Sequence, residues 1–199
     1  MLNTTVKEII EKYIKWIENE DWEIFFEKIQ EDYLPQTVSN VARAFEVANI
    51  NPLTELSFIP EGYFLNSPLR EYTTPSNIKT ICYKAFYAAD VEKVHVTGNV
   101  LYVGEEAFEG CDFLESITLD EGVKQISDGA FYSCEDLTSV VLPKTLERLG
   151  HNVFNGCSKL TEVTYNGTRE DWNQVYNSDF IDEGSYISKV ICSDGEVLL

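Results

Sequence analysis

Five phenylalanines, Phe64, Phe86, Phe108, Phe131 and Phe154, stand 22, 22, 23 and 23 residues apart. A period that regular restricts a chain to a stack of like units. Eight and five residues before each Phe lie Leu56 and Ile59, Ile78 and Ile81, Val100 and Val103, Val123 and Ile126, Leu146 and Leu149. None of these slots is polar. After the Phe, the last three units place Leu114, Leu137 and Leu160 six residues on, followed by Ile117, Val140 and Val163, then Leu119, Leu142 and Tyr165. The first two units are one residue shorter there, with Leu69, Tyr72 and Thr74, then Val91, Val94 and Val96, in the same roles.

Each unit therefore offers two short extended runs, such as Val123 to Ile126 and Ser139 to Leu142, joined by a tight connection that carries the Phe. Neither run can bury its apolar side alone. Stacked units set equivalent residues about 4.8 Å apart, so the apolar columns merge into one core while backbone groups pair between neighbours.

The run AFxxCxxLxxVxLPxxLxxLGxxxF, from Ala130 through Phe154, resembles the BspA-like leucine-rich repeats of bacterial surface proteins, protists and phage-encoded proteins. YNGTREDW, from Tyr165 to Trp172, and VICSDG, from Val190 to Gly195, are similar to the unit that closes such arrays. The resemblance covers roughly residues 56 to 199, and Ser67 and Ala89 stand where its pattern has Cys. The fold expected is a β-rich leucine-rich-repeat solenoid, α+β overall: an N-terminal helical cap over residues 1–52, five repeats of 22–23 residues over 53–165, and a C-terminal capping unit over 166–199.

The cap is read from the residues themselves. Thr5 and Glu8 form a capping-box pattern, and Val6, Ile9, Ile10, Tyr13, Ile14 and Ile17 follow at helical spacing. Trp22, Phe25, Phe26, Ile29 and Tyr33 mark one face of a second helix, ended by Pro35; Val38, Val41, Ala42, Phe45 and Ala48 sketch a third. Such aromatic faces must cover something, and the exposed edge of the first repeat is the nearest surface. Trp16, beside the main stripe, is a second candidate for partner contact. At the other end, Thr168 can cap a short helix carrying Trp172 and Val175, with Trp172 folded over the last repeat as a lid. A final strand from Tyr186 to Cys192 should then end at an Asp194-Gly195 turn.

A net charge of −19, spread along the chain, argues against direct binding to nucleic acid or to an anionic membrane through a basic patch. There is no apolar run of membrane-spanning length and no signal-peptide pattern, so a chain that naturally starts at Met1 is expected in the cytoplasm. Cys111, Cys134 and Cys157 repeat at the period of 23 and should form a column of small buried thiols. A line of thiols does not make the tetrahedron that zinc requires, and no metal or cofactor is expected. The sequence carries no nucleophile elbow, phosphate loop or H-E-x-x-H helix, and His95 and His151 stand alone, so no catalytic residues are assigned.

What remains is recognition. Thr73, His95, Thr118, Val141 and Thr164 should form one outward column of the second strand, with Glu71, Lys93, Ser116, Ser139 and Glu162 beside it. A solenoid offers its extended binding surface on such a face. Tyr87 and Tyr132, each next to its Phe, are further contact candidates. The expected function is a non-enzymatic protein-binding module that uses this face. The alternative is an acidic inhibitor that occupies a basic surface of its partner as a nucleic-acid mimic, for example a phage counter-defence protein, with Glu105, Glu106 and Glu109 as its site. A surface adhesin fragment is a third reading.

Overall fold

The computed structural model describes residues 56–175 and 185–199; the three helices expected within residues 1–52, and Trp16 with them, lie outside the described residues. Five turns of chain stack as the period requires. Each turn gives one two-residue strand and one longer strand. The short strands β1 (Phe58–Ile59), β3 (Thr80–Ile81), β5 (Tyr102–Val103), β7 (Gln125–Ile126) and β9 (Arg148–Leu149) form a parallel five-stranded sheet in that order. The longer strands β2 (Glu71–Thr73), β4 (Lys93–Val96), β6 (Ser116–Leu119), β8 (Ser139–Leu142) and β10 (Glu162–Tyr165) form a second sheet. It is extended by β11 (Lys189–Cys192) and β12 (Gly195–Leu198) to seven strands.

The core between the sheets is the set of columns read from the period. Ile59, Ile81, Val103, Ile126 and Leu149 are buried from one side, and Val94, Ile117, Val140 and Val163 from the other. Register follows the alignment: Val94 pairs with Ile117, and Ile117 with Val140. The five Phe rings stack face to face at centroid separations of 4.6, 4.7, 5.2 and 5.5 Å from the first pair to the last. Each thiol of the Cys column donates to the carbonyl of the Phe one turn earlier: Cys111 to Phe86 at 3.1 Å, Cys134 to Phe108 at 3.2 Å and Cys157 to Phe131 at 3.1 Å. That carbonyl also accepts the backbone N–H three residues on, for example Cys111 N at 3.2 Å from Phe108 O, so both of its lone pairs are used in the interior.

Three local expectations need correction. The first extended run of each unit is shorter than expected: Val123 is buried but belongs to a turn closed by its N–H onto Asp120 O, and the strand proper is Gln125–Ile126. The final strand begins at Lys189 rather than Tyr186, and the turn at Asp194-Gly195 is not the end of the sheet. Beyond it β12 returns antiparallel to β11, pairing Val197 with Val190 and Glu196 with Ile191. A parallel array cannot end on itself through a two-residue turn, whereas an antiparallel hairpin can.

The short helix expected after Thr168 forms as read. Thr168 and Asp171 cap helix α1 (Arg169–Val175) reciprocally: Asp171 N donates to Thr168 Oγ1 at 3.1 Å, and Thr168 N and Oγ1 donate to Asp171 Oδ2 at 2.9 and 2.8 Å. These bonds, with the Lys144 ammonium, hold the Asp171 carboxyl below the usual range. Trp172 is buried with its ring 5.3 Å from that of Tyr165, the last core residue of β10.

Candidate functional site

Strand alternation turns Thr73, His95, Thr118, Val141 and Thr164 to the outer side of the seven-stranded sheet, and parallel pairing sets them side by side. The strip is longer than the repeats suggested, because Thr164 pairs with Ile191 and Ile191 with Glu196. The neighbouring column runs Glu71, Lys93, Ser116, Ser139, then Glu162, Lys189 and Leu198. The signal for the extension was present in KVIC at 189–192, which alternates as the repeats do but lacks the Phe connection used to align them.

Several charged groups of this face contact one another. Lys93 Nζ lies 3.5 Å from Glu71, His95 Nε2 lies 2.9 Å from Asp120 Oδ1, and Lys189 Nζ lies 3.1 Å from Glu162 and 3.8 Å from Glu196. Between these pairs Ser116, Thr118, Ser139 and Val141 present hydroxyls and methyls without charge. Towards β2 the surface forms a shallow groove of about 390 Å³ lined by Thr73, Lys93, His95, Ser116 and Thr118, with Tyr72 and Val94 on its floor.

Tyr87 and Tyr132 lie elsewhere, on the edge of the connecting turns. Tyr87 is half-buried with the Lys84 ammonium 4.4 Å from its ring centre. Tyr132 is 38% exposed and borders a second groove, of about 490 Å³, together with Glu105, Glu106, Glu109, Asp128, His151, Asn152 and Asn155. Tyr132 thus belongs with the acidic residues and not with the strip. Nor are the three glutamates equivalent. Lys84 Nζ sits 2.9 Å from Glu106 and 3.4 Å from Glu109, and burial, reinforced by the Glu106 charge, raises the Glu109 carboxyl above the usual range.

The turn edge also holds a feature that the sequence reading missed. Two positions in every turn, two residues before and two after the Phe, are left-handed: Gly62, Lys84, Glu106, Gly129 and Asn152, then Asn66, Ala88, Gly110, Ser133 and Gly156, with φ between 50° and 80°. That conformation aims N–H groups along the stack, as in Glu106 N to Asp128 O at 3.0 Å and Ala88 N to Glu109 O at 2.8 Å, so the turns are laddered like strands. Recurrent Gly and Asn at a fixed offset was the available signal.

Among the described residues no group of three or more His, Cys, Asp or Glu could hold a metal ion. No helix among them is long and apolar enough to cross a membrane.

The sequence profile of the BspA type leucine rich repeat region matches the chain in six copies, over residues 23–90 and 57–185. The first match reaches into the segment expected to be the helical cap. A leucine-rich repeat protein from Bacteroides capillosus is 26% identical, with a TM-score of 0.46 over 49% of this chain and 77% of its own. The pneumococcal vaccine antigen PcpA is 25% identical, with a TM-score of 0.51 over 59% of this chain and 28% of its own. A leucine-rich cell surface protein from Faecalibacterium prausnitzii is 24% identical, with a TM-score of 0.42 over 57% of this chain and 36% of its own. No curated protein matches the chain.

Proposed function

Because the chain belongs to the BspA-type leucine-rich-repeat family, we propose that it is a non-enzymatic protein-interaction module that grips a partner protein with the outer face of its seven-stranded sheet. The observation that carries this reading is the register of Thr73, His95, Thr118, Val141 and Thr164. It is a strip about 20 Å long, four gaps at strand spacing, and its centre is uncharged on a strongly acidic chain. A sheet face of small side chains loses little rotamer entropy on contact, and the uncharged centre of the strip can be buried without desolvating an ion.

The test begins with capture of a partner from the native host, identified by mass spectrometry, and then uses the double variant Thr118→Arg, Val141→Arg. Binding to the identified partner is expected to be lost while the melting temperature stays within about a few degrees, as surface changes usually allow. Unchanged affinity refutes the strip.

The second reading, an inhibitor that mimics nucleic acid on a basic partner, rests on the groove bordered by Glu105, Glu106, Glu109 and Asp128. Lys84 pairs with Glu106 and Glu109 in this groove, and Glu105 and Asp128 are the other two carboxylates that line it. Binding that falls steeply with added salt, and fails on Glu105→Gln with Asp128→Asn, would support this reading over the first.

A further inference from the structure

The seven-stranded sheet ends on β12, and one edge of that strand has no neighbour in the sheet. Hydrogen-bonded pairs alternate along an antiparallel ladder, and Leu199 N donates to Ser188 O at 3.0 Å, which makes Val190 with Val197 and Cys192 with Gly195 the bonded pairs. The N–H and C=O groups of Glu196 and Leu198 therefore point away from β11, to the open side. An edge of this kind is a template for another strand unless Pro, a bulge or charge protects it. β12 has no Pro, its register is unbroken, and its one charge, Glu196, lies 3.8 Å from Lys189 Nζ. Exposed apolar side chains gather at the same end: Leu198 is 75% and Leu199 38% exposed, and Tyr186, just ahead of β11, is 56% exposed.

We propose that β12 pairs antiparallel with β12 of a second copy of this chain, across a two-fold axis normal to the sheet that passes between the two Val197 residues. The strand's own sequence selects both the occupant and the register. Val197 faces Val197, Leu198 faces Glu196, and Leu199 faces Gly195, so the exposed Leu199 meets a position without a side chain and no like charges stand opposite. Moving the register by two residues one way sets Glu196 against Glu196. Moving it the other way leaves only Val197 to Leu199 paired. On the outer face Leu198 is then flanked by Lys189 of its own chain and by Glu196 of the other, opposite charges on either side of the apolar group. Val197 already packs against the core, so the two cores approach each other at the axis. A two-fold axis normal to the sheet turns both outer faces the same way, and two sheets of seven strands become one of fourteen. The strip from Thr73 to Thr164 is thereby presented twice in one surface, and a target with repeated epitopes is held at two points. The pairing itself does not depend on what the strip binds.

The experiment follows the full chain by sedimentation velocity over a concentration series, with salt added to screen the net charge of −19 that each copy carries. The parent protein is expected to pass from monomer to dimer. Glu196→Pro removes an N–H that the hairpin does not use, and Leu198→Lys charges the edge. Each variant is expected to stay monomeric across the series and to keep a native-like melting transition. Thr118→Arg with Val141→Arg should dimerise as the parent does, which separates the edge from the strip. The register is read from Val197→Cys. At the axis the two Cα atoms stand about 4.5 Å apart, within disulfide reach, so mild oxidation should give a covalent dimer that Thr118→Cys and the parent do not. A parent that is monomeric throughout, dimerisation that survives both edge variants, or oxidation that links position 197 no better than position 118 would each overturn the proposal. So would a captured partner protein that Glu196→Pro releases from a chain that stays monomeric, since the edge would then take that partner's strand.

Discussion

The first two turns of the solenoid and the last three solve the same problem differently. In the 23-residue turns the spacing Cys-x-x-Leu lets the Leu N–H close onto the Cys carbonyl, at 3.0, 3.1 and 3.1 Å for Leu114, Leu137 and Leu160. The thiol is then left to bond the Phe carbonyl of the turn before. In the 22-residue turns Ala89 and Val91 are one residue too close for that closure. Asp90 N instead donates to Ser67 O of the preceding turn, at 2.8 Å. The Phe rings respond, stacking at 4.6 Å where the turns are short and 5.5 Å where they are longest. One residue in a connection is therefore absorbed by exchanging a hydrogen bond within a turn for one between turns, with the strand register unchanged. Left-handed positions without glycine occur at both ends: Asn66, Lys84 and Ala88 in the first two turns, Glu106, Ser133 and Asn152 in the last three, and only the second turn has glycine at neither position.

The largest effect should come from charging the core of the long turns. Leu137→Asp puts a carboxylate between Leu114 and Leu160 and should abolish folding, since an unpaired buried charge outweighs a typical net stability of about 5–15 kcal/mol. Leu137→Ala should cost about 2–5 kcal/mol. Leu69→Asp, at the half-buried counterpart in the first turn, should leave a cooperative thermal transition. If Leu137→Asp melts like the parent protein, the repeat register is wrong.

The next effect belongs to the short end. Glu61 has its carboxyl raised from 4.5 to about 7 by burial, with Lys84 drawing it back in part. Between those values the native state holds more protons than the unfolded chain, so stability should fall as pH rises through that window. Glu61→Gln should flatten the dependence and add up to about 3 kcal/mol above it, read from urea titrations at several pH values. A parent protein equally stable at pH 4.5 and 8 would contradict this.

Smaller is the chemistry of the Cys column. Burial pushes the Cys111 thiol up to about 12 and that of Cys134 well above its ordinary value. Both should label slowly under native conditions, because little thiolate is present. Cys134→Ala should cost about 1–2 kcal/mol, as the Phe108 carbonyl loses a donor and the core loses a sulfur. Rapid native labelling of either thiol would show that the column opens.

The smallest effect tests the left-handed positions. Ala88→Gly should gain about 0.5–1 kcal/mol in thermal melts, the relief of a Cβ in that conformation less the entropy of a freer unfolded chain. Asn152→Gly should change little, because Asn already tolerates the region. Equal effects at the two sites would mean that the strain is shared evenly along the stack.

Much of this was legible from the chain. Columns of aliphatic residues at a fixed period fix which side chains meet, because a stacked strand can only set residue i beside residue i plus one repeat. Hence Thr118 lies beside Val141 and His95. The left-handed turns were less legible, because Lys84, Ala88, Glu106 and Ser133 interrupt the Gly and Asn pattern that encodes them. The extra strands β11 and β12 lack the Phe that marks a repeat and so fell outside the alignment.

By itself, then, the sequence determined the stacking, its register and the inward columns, all consequences of periodicity and of the cost of burying charge. Tertiary structure alone decided what depends on neighbours distant in sequence. Lys84 reaches across a turn to Glu106 and Glu109, so that three acidic residues that looked alike stand in different surroundings. The strip continues past Thr164 to Ile191 through a pairing that no repeat announces. Phe58 and Thr80 sit at outward positions and are nonetheless covered. Alternation along a strand tells which way a side chain points, but whether water or another part of the chain waits there is settled only when the whole chain has folded.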